Sequence, residues 1–72
     1  MYIIRRGKKI LKEYENGKSA YEIADDLETL NAIFPAERVG AIRRFLNQNA
    51  FALAIRGSKA RLGDSVILEL VS

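Results

Sequence analysis

The sequence predicts an α+β domain in which three helices precede a C-terminal two-stranded β-hairpin. Apolar residues recur three and four positions apart through the middle of the chain, and strict alternation takes over near the C-terminus. A Ser-x-x-Glu capping box at Ser19 and the single proline, Pro35, mark the starts of two helices. With 72 residues, 49% of them hydrophobic, residues 1–72 are expected to form a single domain with one small core.

The first helix is predicted over residues 8–16, with Gly17 where a left-handed cap belongs. Its apolar side consists of Ile10, Leu11 and Tyr14. Residues 2–4 either extend this helix or form a short strand. Because glycine inside a helix costs about 1 kcal/mol relative to alanine, Gly7 favours a break before the helix.

The second helix is predicted to begin at Ser19, whose hydroxyl accepts from a free backbone N–H while Glu22 reaches back to the cap. Helical spacing gives it a core stripe of Ala20, Ile23, Ala24 and Leu27. The helix is expected to end near Glu28. Asp25 and Asp26 point about 100° apart on such a helix, so they cannot converge on one reacting atom and are expected to be solvated.

The third helix is predicted from Pro35 to about Gln48, because proline suits the first helical position. Its core stripe is Val39, Ile42 and Leu46, and its outward face is Glu37, Ala41, Arg44 and Gln48. The link over residues 29–34 contains Leu30, Ile33 and Phe34. These apolar residues predict that the link packs on the core, for example as a further helical turn.

The predicted hairpin has strands over residues 51–56 and 65–71, joined by a basic loop over residues 57–64. One register places six apolar residues on one face: Phe51, Leu53, Ile55, Val66, Leu68 and Leu70. The other face carries Ala52, Ala54, Ile67, Glu69 and Val71. Because this second face is too apolar for plain solvent, a second subunit or the N-terminal segment is expected to cover it.

Residue composition excludes several kinds of chemistry. Without histidine or cysteine the chain has no disulfide, zinc site, thiol nucleophile or imidazole base, which leaves a site made of carboxylates alone as the remaining kind of metal site. We expect no enzyme activity and no metal or other cofactor. The apolar runs fall far short of the ~20 residues of a membrane span, and no signal peptide is recognisable. A cytoplasmic protein is expected, associated with the nucleoid if it is prokaryotic or viral.

Charge is distributed unevenly along the chain. The net charge of +3 is too small to indicate nucleic acid by itself, but two basic zones flank an acidic stretch over residues 19–34. The first zone carries Arg5, Arg6, Lys8, Lys9, Lys12 and Lys18, and the second carries Arg38, Arg43, Arg44, Arg56, Lys59 and Arg61. The cluster over residues 5–9 is either a basic arm for a nucleic-acid backbone or a solvated chain end.

A helix, a capped helix, a basic helix and a hairpin with a basic loop, in this order, resemble the winged helix-turn-helix family over about residues 8–71. The resemblance rests on the spacing of Ser19, Glu22, Ile23, Ala24 and Leu27, then Val39, Ile42 and Leu46, then the alternating hairpin. It implies that the third helix enters the DNA major groove while the hairpin loop, the wing, touches the backbone or minor groove. The chain departs from the family in its link, because twelve positions separate Leu27 from Val39, more than a compact helix-turn-helix uses.

The resemblance predicts a set of DNA-contacting residues. Arg44 and Gln48 are the outermost side chains suited to guanine and adenine, and Ala41 lets the helix approach the bases closely. Arg56, Lys59 and Arg61 are expected to gather on the projecting tip of the hairpin loop and to contact phosphate or the minor groove there. The full predicted set is Arg38, Ala41, Arg44, Gln48, Arg56, Lys59, Arg61, Lys18 and Tyr21.

The predicted function is that of a small sequence-specific DNA-binding protein, a transcriptional regulator that binds double-stranded DNA as a homodimer on two half-sites. The alternative is a protein–protein interaction module, an adaptor or inhibitor, whose hairpin face and acidic second helix contact a protein. An ordinary solvated helix face also explains the outward residues of the third helix. RNA binding has less support, because Phe51 is expected to be buried and few aromatic rings remain for stacking on bases: Tyr2, Tyr21 and Phe45.

Overall fold

The computed structural model describes residues 1–71, which form four helices and a four-stranded antiparallel sheet. In chain order the elements are β1 Tyr2–Arg6, β2 Lys9–Glu13, α1 Ala20–Ala24, α2 Leu27–Ile33, α3 Ala36–Gln48, α4 Ala50–Leu53, β3 Lys59–Gly63 and β4 Val66–Leu70. The strand order is β2-β1-β4-β3, so a hairpin from each end of the chain meets its counterpart along β1 and β4. The predicted α+β class is confirmed, with strands at both ends of the chain.

The predicted helix over residues 8–16 is wrong, because this stretch forms β2 and the segment that follows it. A two-residue turn of Gly7 and Lys8 joins β1 to β2, and Gly7 has the positive φ of 60° that such turns use. The three apolar residues of the stretch fit a helix or a strand equally well. Pairing with β1, which is itself held by β4, decides in favour of the strand.

The second face of the C-terminal hairpin was expected to be covered by a second subunit or by the N-terminal segment. The N-terminal segment does not lie on that face; it forms β1, which pairs with β4 at the edge of the hairpin. Arg6 lies opposite Val66 and Tyr2 opposite Leu70, which makes β1 a central strand. The outer strands β2 and β3 carry Lys9, Lys12, Lys59 and Arg61. Cations on edge strands oppose edge-to-edge pairing with another chain.

The predicted start of the second helix is confirmed at α1. The Ser19 hydroxyl accepts from the Glu22 amide at 3.4 Å, while the Glu22 carboxylate lies 3.7 Å from Lys18 instead of reaching back to the cap. The helix ends at Ala24, short of the predicted Glu28, because Asp26 begins a new helix. Its carboxylate accepts from the Thr29 amide at 3.2 Å and caps α2.

Most of the long link is therefore the helix α2. Leu30 and Phe34 are buried, which confirms that the link packs on the core. Pro35 immediately precedes α3, whose buried residues are the predicted Val39, Ile42 and Leu46.

The predicted strand over residues 51–56 is also wrong. Residues 50–53 form the short helix α4, which buries Leu53 but leaves Phe51 86% and Ile55 67% exposed. Alternating alanines in this stretch favour a helix over a strand. The first strand of this hairpin is β3, which occupies much of the predicted loop, and the true turn is Asp64 and Ser65, both at positive φ as in a type I′ turn.

The core lies between one face of the sheet and the helices. The sheet contributes Tyr2, Ile4, Leu62, Val66 and Leu68, and the helices contribute Ile23, Leu30, Val39, Ile42 and Leu46, among others. The Tyr2 hydroxyl donates to the carbonyl of Leu53 at 2.7 Å and so ties β1 to α4. Within residues 1–71, no helix has the length and apolar character needed to cross a membrane.

Candidate nucleic-acid interface

The two hairpin turns lie side by side at one end of the sheet. Because β1 and β4 are antiparallel neighbours, the end of β1 and the start of β4 coincide, and both turns leave the sheet there. The turns share a depression of about 460 Å³ that is lined by Gly7, Arg61, Gly63, Asp64, Ser65 and Ile67. Two segments from opposite ends of the chain thus form one surface.

Five cations stand at this end of the molecule, and we call them the hairpin-turn surface: Arg6, Lys8, Lys9, Arg38 and Arg61. All five are exposed. Within residues 1–71 the only ion pair made by any of them joins Arg38 to Asp64, at 4.0 Å. The surface is therefore strongly positive, with one carboxylate among five cations.

Arg38 connects α3 to the turn between β3 and β4. Its Nη2 donates to the carbonyl of Leu62 at 3.4 Å, and its side chain remains 44% exposed. The guanidinium group occupies the space that a Cβ atom on Gly63 would need, and Gly63 has a φ of 113°. Glycine is therefore favoured at this position by its backbone conformation, and a side chain there would also displace the Arg38 guanidinium group.

A groove of about 200 Å³ runs between α3 and β3. Its lining residues are Arg38, Ala41, Ile42, Phe45, Arg61 and Leu62. Three of the predicted contact residues, Arg38, Ala41 and Arg61, are thus brought together. Arg44 and Gln48 lie on the exposed face of α3, as expected, while the partly buried Arg43 donates to the carbonyl of Ala24 at 2.8 Å.

The other predicted contact residues lie elsewhere. Arg56 belongs to the connection between α4 and β3, beside Met1 and Val71. Lys59 begins β3, opposite Glu69 and at the other end of the strand from the turn. Lys18 and Tyr21 line a groove with Phe51. The prediction that Arg56, Lys59 and Arg61 gather on one projecting loop tip is wrong, because β3 separates them.

The sequence alone leaves two interpretations of Arg6, Lys8 and Lys9 open, a basic arm or a solvated chain end. Their place beside the β3–β4 turn follows from the pairing of β1 with β4, which local spacing does not reveal. A local signal for the turn was present. Gly7 stands between two short apolar stretches, which is typical of a hairpin.

Arg5 differs from these neighbours because its charge is neutralised. Its Nε donates to Glu69 at 3.0 Å, with both side chains about one-fifth exposed, on the sheet face away from the helices. Its Nη1 donates to the carbonyl of Gly7 at 2.9 Å. Arg5 therefore holds the turn in place and leaves the display of positive charge to the residues that follow it.

Carboxylates are concentrated away from the hairpin-turn surface, in the segment from the end of β2 through α2: Glu13, Glu15, Glu22, Asp25, Asp26 and Glu28. Asp25 lies 3.3 Å from Arg43. Burial opposes ionisation of Asp26, but hydrogen bonds from the Tyr14 hydroxyl and the Thr29 amide outweigh burial and lower the pKa of its carboxyl. Asp26 is thus an ionised helix cap and not a proton donor at neutral pH.

No cluster of three or more carboxylates within residues 1–71 is arranged to hold a metal ion. Comparison with known proteins finds no matching family model, no matching curated protein and no matching solved structure. A function for this chain is therefore inferred from the arrangement of its own residues.

Proposed function

We propose that the protein binds double-stranded DNA as a small sequence-specific transcriptional regulator, through α3 and the hairpin-turn surface. The observation that carries the proposal is that five exposed cations from two hairpins and a helix lie at one end of the sheet, where only Arg38 is paired with a carboxylate, Asp64, among the described residues. Like charges held together repel one another, and phosphate groups relieve that repulsion while releasing their own counterions. A regulator of this kind acts in the cytoplasm, at a nucleoid or a viral genome.

The winged-helix arrangement enters this proposal in a modified form. Helix α3 lies in the major groove, where Arg44 and Gln48 contact bases. The β3–β4 turn takes the part of the wing, and Arg61 beside it contacts phosphate. Its position next to the first turn of α3, through the contact of Arg38 with Leu62, supports this assignment. The β1–β2 turn adds a second phosphate-binding projection.

A salt titration on random duplex DNA tests the proposal. If the five cations each neutralise one phosphate, log affinity falls against log salt with a slope of about −4 to −5. Fluorescence anisotropy of a labelled duplex measures that slope. Absence of binding at low salt, or an affinity independent of salt, would refute the DNA proposal.

Charge-neutralising variants locate the contact. Lys8→Gln and Lys9→Gln are each expected to reduce the steepness of the salt slope by about 1 and to weaken binding to all sequences alike. Lys12→Gln is the matched control, because Lys12 lies on the same hairpin but stands 5.6 Å from the centre of the Tyr14 ring. Equal losses in all three variants would show that only net charge matters.

We assign recognition of the DNA base sequence to α3, separately from the phosphate contacts. Arg44→Ala is expected to lose preference for the bound site, whereas Arg61→Ala weakens binding uniformly. Selection of bound sites from a random DNA library, carried out with each variant, measures the difference. If both variants retain the same selected site, α3 does not read the bases.

A second candidate function is a protein-binding module. The observation that favours it is the exposure of Phe51 and Ile55, at 86% and 67%. A module that binds only proteins would show no salt-dependent affinity for duplex DNA, and Lys8→Gln would not change its binding. The experiments above therefore distinguish the two functions.

A further inference from the structure

Three large apolar side chains are exposed between α1 and α4. Phe51 is 86%, Ile55 67% and Tyr21 46% exposed. Phe51 lies in α4, and Ile55 directly follows the helix C-cap Ala54, so the two exposed side chains are close along the chain. Apolar side chains grouped on a protein surface mark a site of association. We call these three residues the α1–α4 patch.

A groove of about 290 Å³ lies within this patch. Apart from Lys18 and Ser19, its lining is formed by aromatic, alanine and leucine side chains: Tyr2, Ala20, Tyr21, Ala50, Phe51, Ala54 and Leu70. Ala20 and Ala50 are buried, and their small side chains leave room above them. One surface therefore holds both a projecting aromatic ring and an apolar groove beside it.

We propose that the α1–α4 patch binds a second copy of this chain, with Phe51 of each copy seated in the groove of the other. A two-fold interface uses the same patch twice, so the projecting and receiving parts must lie together on one surface. The patch meets this requirement. Packed in the groove, the Phe51 ring lies against the Tyr21 ring of the other copy, an aromatic pairing that adds to apolar burial.

Charge around the groove agrees with self-association. Lys18 lines the groove and lies 3.7 Å from Glu22, and Arg56 lines the adjoining depression that shares Ala54 and Leu70. Both signs of charge are therefore present beside the groove, and a two-fold rotation can bring cation to carboxylate. A surface for a strongly acidic or basic partner would instead carry a single sign. The other common route to a symmetric dimer, pairing of edge strands, is opposed by the cations on β2 and β3.

The location of the groove leaves the DNA-binding surface free. Tyr2 and Leu70 line the groove and pair with each other at the end of the sheet opposite the two hairpin turns. Association through the patch therefore keeps both hairpin-turn surfaces accessible. The inference goes beyond the proposed function and does not rest on it.

Sedimentation equilibrium of the full chain without DNA, from about 1 μM to about 1 mM, tests the proposal. We expect a reversible monomer–dimer equilibrium in which Phe51→Ser raises the dissociation constant at least about tenfold. Ile55→Ser is expected to raise it by a smaller factor. The matched control is Ile10→Ser, the same substitution at an exposed isoleucine outside the patch, which should leave the constant unchanged. Circular dichroism verifies that each variant is folded.

The contact itself can be observed by nuclear magnetic resonance. In a mixture of labelled and unlabelled protein, we expect intermolecular NOEs between the Phe51 ring and the Ala54 methyl group of the other copy. A wild-type chain that stays monomeric at about 1 mM overturns the proposal. A dimer that Phe51→Ser does not weaken, or one without these NOEs, overturns it as well. Since DNA is absent from these experiments, none of the three results depends on the DNA proposal.

Discussion

At the scale of single residues, Asp26 connects three parts of the fold. Its carboxylate caps α2 through the Thr29 amide and accepts from the Tyr14 hydroxyl at 2.7 Å. Burial raises the pKa of Tyr14 well above its usual value, and the hydrogen bond and charge of Asp26 raise it further. The same hydrogen bond lowers the pKa of Asp26, because it stabilises the ionised carboxylate. Tyr14 follows β2, so this bond ties the N-terminal hairpin to the helices.

The lowered pKa of Asp26 predicts an acid-dependent loss of stability. A group whose pKa is lower in the folded state contributes stability above its unfolded pKa, about 3.9 for aspartate, and loses it as pH falls towards the folded value. Asp26→Asn keeps a capping side chain but removes the charge, so it should cost about 1 kcal/mol at neutral pH and flatten the acid limb of stability. Urea unfolding as a function of pH measures both effects. Parallel pH curves for the variant and the wild type would contradict this account.

Any side chain at Gly63 is predicted to destabilise the fold. A Cβ atom there would meet the Arg38 guanidinium group and would be held at a φ of 113°. Gly63→Ala should therefore cost about 1–3 kcal/mol and, by displacing Arg38, weaken DNA binding. Gly40→Ala is the control, because Gly40 lies in α3 with nothing within 4 Å of an added Cβ. Chemical denaturation should show Gly40→Ala to be as stable as the wild type or up to about 1 kcal/mol more stable; a matching gain for Gly63→Ala would disprove the steric argument.

At the scale of elements, short apolar stretches decided which predictions failed. The residues of β2 satisfy a helical spacing, and those of α4 satisfy a strand alternation, because a stretch of four or five residues contains too few apolar positions to separate the two periods. The longer α3 left no such ambiguity, and its stripe of Val39, Ile42 and Leu46 is buried as predicted. The prediction is correct for the long segment, α3, and wrong for the short segments that form β2 and α4.

Two matched isoleucines test the N-terminal hairpin. Ile4 on β1 is fully buried, whereas Ile10 on β2 is 47% exposed. Ile4→Val should cost about 0.5–1.5 kcal/mol, while Ile10→Val should cost much less. Urea denaturation of both variants measures the difference. A large cost at Ile10 would instead agree with the helix over residues 8–16, in which Ile10 faces the core.

At the scale of the whole molecule, the two ends of the chain are joined. The Met1 amino group donates to the carbonyl of Val71 at 2.6 Å, and the Val71 amide donates back to Met1 at 2.8 Å. The central strands β1 and β4 come from opposite ends, so the sheet closes only when the most distant parts of the chain meet. Such non-local pairing slows folding.

This topology predicts how the chain responds to being cut. Removing residues 1–7 deletes a central strand and its turn, so the shortened chain is expected to be unfolded. A circular permutant that joins Val71 to Met1 by a short flexible linker and opens at the exposed Gly17 should keep the fold, because it retains every strand. Circular dichroism and thermal unfolding measure both. A folded truncation would contradict the central position of β1.

The sequence by itself determined the features that depend on neighbouring residues. These are the Ser19 cap, the core stripe of α3, the packing of the link, and the exclusion of histidine and cysteine chemistry. Only the tertiary structure decided that β1 pairs with β4, that the two hairpin turns bring Gly7 and Arg61 to one depression, and that Phe51 is exposed. The physical reason is that this strand pairing joins residues sixty or more positions apart, and local spacing carries no record of which distant strand completes a sheet.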